Sequence, residues 1–120
     1  MHINELFAKN IERFARWHGD KGVNDWSALE WAGAMCGEAG EAANAAKKLK
    51  RLETDMKTIN EPGRHYNNLE EARTAVAKEV ADTIIYGLLL MARAGIADPE
   101  AIIREVYNKK SEEYGFPERV

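Results

Sequence analysis

The chain is poor in the residues that most covalent and redox chemistry requires. It has one cysteine, Cys36, so no disulfide can close within it and no cysteine cluster can bind zinc. A lone thiol suits a reducing compartment, and a cytoplasmic location is expected. Among small apolar neighbours, Cys36 reads as a packing thiol ahead of a reactive one. Histidine is scarce as well: His2, His18 and His65 stand away from the paired carboxylates. That excludes the Glu-x-x-His pairs of a ferritin-like di-iron bundle. No Walker-type glycine loop and no Ser-His-Asp arrangement is legible. No apolar run reaches the roughly 20 residues that cross a bilayer. The opening Met-His-Ile-Asn-Glu has no basic region leading into an apolar one, so no signal peptide is expected. A net charge of −3 gives no support for binding a nucleic-acid polymer or a membrane surface.

What the chain does have is helical periodicity. Its 120 residues fit a single domain, 1–120. Ile3, Leu6, Phe7, Ile11, Phe14 and Ala15 make one apolar stripe and predict a helix over 3–17. Residues 18–25 hold two glycines and read as a loop. Asp25 or Ser27 can cap a second helix, and Ser27 with Glu30 spells a capping box. That helix should run to about Arg51, ending in Lys47, Lys48, Lys50 and Arg51, as suits a C-terminus.

Residues 52–68 form a long connection with a turn signature at Asn60-Glu-Pro-Gly63. A short helical piece near Glu53–Ile59 is expected in it, and His65 and Tyr66 are candidates to cover a ligand. A third helix should span about Leu69–Ala94, closed by Gly95. Asp98 caps a fourth with Pro99 in its first turn, and the helix should stop at Gly115 after Tyr114. No strand alternation or internal repeat is visible. The expected fold is all-α, a bundle of four to five helices. Helices apolar nearly all round suggest an oligomer.

Two stretches carry isolated charges. Glu38 and Glu41 are the only charged residues of 31–46, and Glu79 and Asp82 repeat the same spacing in the third helix. Residues three apart share one helix face. Such pairs are usually solvated, but Ala39, Ala42, Ala43, Ala45 and Ala46 surround the first, with Gly37 and Gly40 beside it. Ala81, Thr83, Ile84 and Ile85 surround the second. A buried, unpaired carboxylate is costly or becomes neutral, and two pairs brought together repel unless a cation lies among them. Oxygen ligands without thiolate or imidazole suit a hard ion, magnesium first and manganese as an alternative.

Glu38-x-x-Glu41 followed by Glu79-x-x-Asp82 resembles the signature of the all-α nucleoside triphosphate pyrophosphohydrolases, the group of MazG-like proteins, dCTP pyrophosphatase and dimeric dUTPase. Gly37-Glu-Ala-Gly-Glu-Ala42 and Lys78-Glu-Val-Ala-Asp-Thr-Ile-Ile-Tyr86 are similar to that family's two helix segments, and Tyr107-Asn-Lys-Lys-Ser-Glu-Glu-Tyr114 more loosely to its tail. The likeness covers about residues 26–115. The stretch between Glu41 and Glu79 is longer than the family's usual span, by the 52–68 connection. The resemblance implies a homodimer or homotetramer. It also implies Mg²⁺-dependent cleavage of a nucleoside triphosphate between its α- and β-phosphates, giving a monophosphate and pyrophosphate. Glu38, Glu41, Glu79 and Asp82 would hold the metal, one of them, with Glu41 the first candidate, taking a proton from the attacking water.

Lys47, Lys48 and Lys109 are candidates for phosphate, and Asn108 for phosphate or sugar. Trp17, Trp26, Trp31 and Tyr86 are candidates for a base slot, with core packing the competing role of each tryptophan. Tyr86 lies four residues after Asp82 and shares its face. His18 is a candidate to read a base edge. Two other functions fit the same residues: a non-catalytic nucleotide-binding or interaction helix module, and a phosphoribosyl-ATP pyrophosphatase-like enzyme.

Overall fold

In a computed structural model, residues 1–54 and 68–120 are described. Helix α1 is Ile3–His18, α2 is Ala28–Glu53, α3 is Leu69–Arg93 and α4 is Pro99–Tyr114. No strand occurs among the described residues. The fold is therefore all-α. No helix among them is long and apolar enough to cross a membrane. The turn at Asn60–Gly63, the helical piece beyond Glu53, and His65 and Tyr66 lie outside the described residues.

Each helix boundary has a local cause. At the start of α1 the Glu5 carboxylate accepts from the His2 N–H at 3.4 Å, which satisfies one donor that precedes the helical ladder. Gly19, at φ 69°, ends the helix. The segment expected as a loop winds instead into a 3₁₀ turn, Gly19–Asp25, broken at Gly22 (φ 50°, ψ −127°). Only glycine reaches that conformation cheaply, and Ala15 lies 3.8 Å from where a side chain at Gly22 would begin. Ser27 stands immediately before α2, in the N-cap position.

Helix α2 overruns the expected stop at Arg51 by two residues, to Glu53. Gly95 (φ 83°) closes α3, with Ile96 N–H donating to Met91 O at 3.0 Å. Asp98 caps α4 by accepting from Ala101 N–H at 3.0 Å. At the far end Gly115 takes the left-handed conformation, and Phe116 N–H reaches Ser111 O at 2.8 Å.

The described chain forms two compact units. The first comprises Met1–Ala28 and Leu88–Val120. Phe7, Phe14, Leu88, Leu89 and Pro99 are its buried apolar residues. A polar lock joins the starts of α1 and α4 within it. Asn4 donates to Asp98 Oδ1 at 2.8 Å and accepts from Glu100 N–H at 3.1 Å. The Asn4 amide, the Ala101 N–H and the Arg104 charge together hold the Asp98 carboxyl below its ordinary range.

The second unit, Leu29–Gly87, holds α2 from Leu29 onward and α3 up to Gly87. Trp31, Ala45 and Ala72 are buried there. The Trp31 and Tyr86 rings lie 6.2 Å apart, and Met35 Sδ approaches Gly87 to 3.5 Å of its would-be Cβ. Early residues of α2 thus meet late residues of α3, so the two run antiparallel.

Candidate metal centre

The antiparallel pairing that sets Trp31 against Tyr86 also sets the two acidic pairs against each other, two turns further along α2 and back along α3. One carboxylate oxygen each from Glu38, Glu41 and Glu79 gathers within 4.8 Å. Asp82 is not a member of that triad, but its charge acts on Glu38. The Glu38 carboxyl is pushed up, first by partial burial, then by the negative charges of Glu41, Asp82 and Glu79, and by a hydrogen bond with Glu41. All four residues therefore act on one another electrostatically, although the rest of α2, a connection and the first turns of α3 separate the pairs in sequence. Thr83 steadies the α3 half by donating to Glu79 O at 2.9 Å.

The surroundings differ from the sequence expectation in one respect. Glu38 and Glu79 are half-buried, and Glu41 and Asp82 are exposed. The alanines around Glu41 divide in the same way: Ala45 is buried, Ala42 is half-buried, and Ala39, Ala43 and Ala46 face out. A side chain placed on Gly37 or Gly40 would meet nothing within 4 Å, so these glycines do not serve a close helix contact. The reason is geometric: two antiparallel helices bury only one stripe of each, and the small residues on the remaining face stay in solvent. What marks the site is clustering of charge together with the partial burial of Glu38 and Glu79. Three carboxylates at this spacing, one of them already pushed toward its neutral form, are a donor set that a hard divalent cation relieves.

The other expected residues fall into groups. Lys47 is exposed, whereas Lys48 is buried at 5% exposure, leaving Lys47 as the accessible member of the pair. Trp31 has no exposed surface, which favours core packing of the two roles open to it. Tyr86 is half-buried beside it.

Trp17, Phe14, His18 and Trp26 make a chain of ring contacts in the first unit. Phe14 meets Trp17 edge-on at 5.1 Å and stacks on His18 at 5.5 Å, and His18 meets Trp26 edge-on at 5.1 Å. His18 Nδ1 lies 3.0 Å from the Asp25 carboxylate. An ionised carboxylate only accepts, so Nδ1 carries the proton in that pair. Arg93 fixes the cluster's edge by donating to Trp26 O at 2.8 Å. Trp17 remains 69% exposed, an aromatic face open to solvent, with the Arg13 guanidinium 5.7 Å from its ring centre. Sequence reasoning missed Phe14 as the ring that joins Trp17 to His18. The signal was present, since Phe14, Trp17 and His18 stand at i, i+3 and i+4 of one helix.

Lys109 is exposed. Asn108 is engaged elsewhere: its amide donates to Val120 O at 3.2 Å and accepts from Val120 N–H at 2.9 Å. Comparisons with family models, with curated proteins and with solved structures give no match.

Proposed function

We propose that this chain is a Mg²⁺-dependent nucleoside triphosphate pyrophosphohydrolase, a hydrolase that converts a nucleoside or deoxynucleoside triphosphate to its monophosphate and pyrophosphate. The observation that carries this reading is the meeting of Glu38 and Glu41 with Glu79 across two antiparallel helices, all within 4.8 Å. That arrangement accords with the paired motif whose likeness to the all-α pyrophosphohydrolases rests on residues 37–42 and 78–86. In this reading Glu38, Glu41, Glu79 and Asp82 hold the metal. Bound magnesium supplies charge neutralisation of the phosphates and a fixed position for them. Glu41, the exposed member of the triad, accepts the proton of the attacking water as its oxygen bonds to phosphorus and pyrophosphate leaves. Lys47, exposed on the helix that carries Glu38 and Glu41, pairs with phosphate oxygens. Tyr86, half-buried and four residues after Asp82 on α3, offers the ring on which a base stacks.

The chain acts as a homodimer or homotetramer in this account. Ile102, Ile103, Val106 and Tyr107 are exposed on α4, as are Val80 and Ile84 on α3, and apolar side chains of this kind are what a second copy would cover.

The test is a panel of the canonical and modified nucleoside triphosphates and phosphoribosyl-ATP with Mg²⁺, resolved by chromatography, with the oligomeric state of the protein checked by light scattering. The expected products are monophosphate and pyrophosphate from one or a few members. Tight binding without turnover points instead to the nucleotide-binding module. Turnover confined to phosphoribosyl-ATP points to that related activity.

A further inference from the structure

Helix α4 places little of its surface against its own unit. Of Pro99–Tyr114, Pro99 and Ser111 are buried, Glu100 and Asn108 are half-buried, and the other positions are exposed. Glu100, Asn108 and Ser111 recur at i, i+8 and i+11, which marks one side of the helix. Asn4 of α1 bonds to the Glu100 N–H and Val120 bonds to Asn108, so that side is already in use. Ile102, Ile103 and Val106 lie on a different side, bordered by Tyr107 and Tyr114. Val106 is 62% exposed and Tyr114 66%. A surface helix ordinarily turns its apolar stripe inward. Here the stripe is turned outward.

The charges beside the stripe select what covers it. Arg104 is held by Glu100 at 3.4 Å and Lys110 by Glu113 at 3.6 Å, both within the helix. Glu105 and Lys109 enter no ion pair among the described residues. They stand at i and i+4 on the flank next to Ile102. When two copies of a helix pack antiparallel about a two-fold axis, the same flank of each meets. A flank with an acid and a base four residues apart is then complementary to itself. An axis near Tyr107 sets Glu105 against the partner's Lys109, and Lys109 against the partner's Glu105. The same register points Ile103 between the partner's Tyr107 and the partner's Tyr114. A parallel pair would set acid on acid and base on base.

We propose that α4 is the seam of a two-fold homodimer, in which two copies pack antiparallel through Ile102, Ile103, Val106 and Tyr107 with Glu105 and Lys109 paired across the axis. This rests on the oligomeric reading above and assigns it one surface and one orientation. A helix of 16 residues is about 24 Å long, so the contact is a small one and loosens on dilution.

The experiment is light scattering over a dilution series in about 0.1 M salt, where exposed charges still act at close range. Full-length wild type is compared with Val106→Glu, with Glu105→Lys, with Lys109→Glu, and with an equimolar mixture of the last two. Circular dichroism follows helix content in each. Wild type should show the mass of a dimer, or of a tetramer if a second surface joins the dimers. Val106→Glu should halve that mass. Each single charge reversal makes both cross-axis pairs repulsive and should raise the dissociation constant by about tenfold or more. The mixture should recover the wild-type association, because a flank with two bases then meets a flank with two acids. Equal association by wild type and all the variants overturns the α4 seam and leaves the oligomeric reading standing. Weakening by the single reversals without recovery in the mixture also overturns it. A wild type that is monomeric throughout overturns both, and leaves the stripe to a different protein.

Discussion

Glu38→Gln is expected to abolish pyrophosphate release and, in the metal-free chain, to raise the melting temperature. The two effects have one cause. Partial burial and then the charges of Glu41, Asp82 and Glu79 push the Glu38 carboxyl up, so at neutral pH the folded chain bears repulsion that the unfolded chain does not. A raised carboxyl contributes stability only below its ordinary range, and loses it as pH rises through the raised value. The metal-free wild-type chain should therefore gain stability as pH falls through that window, and Glu38→Gln should show a flatter profile there.

Magnesium should reverse the comparison. At a hundredfold excess over its dissociation constant, a ligand of the folded state alone adds about 2.7 kcal/mol, on the order of ten degrees for a chain this size. The wild type should show that rise and Glu38→Gln should not. Turnover should fall by at least ~10³-fold, the scale seen when a group stabilising transition-state charge is removed. Calorimetry with and without Mg²⁺, together with a pyrophosphate assay, reads all three effects. Retained turnover, or a metal-free variant less stable than wild type, contradicts the account.

Trp31→Ala is expected to have the largest effect on stability. Trp31 has no exposed surface and is among the largest fully buried side chains. Its removal empties the place beside Tyr86, at the end of the helix pair that presents the carboxylates. Truncation of a buried tryptophan costs about 3–5 kcal/mol, which corresponds to a fall of roughly 10–25 °C. Because α2 and α3 are registered partly by this contact, metal affinity should fall as well. Trp31→Phe keeps an aromatic ring against Tyr86 and should cost less than half as much. Thermal unfolding followed by circular dichroism checks the series. A drop of less than about 3 °C for Trp31→Ala would remove Trp31 from the core of that unit.

The helices were legible because their signals are local. Asp98-Pro99 opens α4, and Gly95 and Gly115 close α3 and α4 at positive φ, as their residue types demand. The acidic pairs were legible for a similar reason, since a spacing of three fixes a shared face before any tertiary contact forms. Burial was not legible in the same way. The alanines and glycines near Glu38 suggested an enclosed site, but small residues permit close approach without compelling it, and Gly37 and Gly40 face open space. The 3₁₀ winding of Gly19–Asp25 escaped because two glycines allow many turns and specify none. Asn108 escaped because its partner, Val120, becomes a neighbour only after Gly115 reverses the chain. Long-range pairs of that kind leave no periodicity to read.

The central claim is that carboxylates from α2 and α3 share one divalent ion. Manganese can take magnesium's place and broadens nuclear resonances steeply with proximity, so its titration into isotopically labelled protein locates the ion without reference to any substrate. The account predicts that the side-chain carboxyl signals of Glu38, Glu41, Glu79 and Asp82 broaden together at one stoichiometric equivalent, and recover on adding a chelator. Broadening confined to one helix, or spread over the exposed acidic residues of the whole surface without saturation, would contradict it.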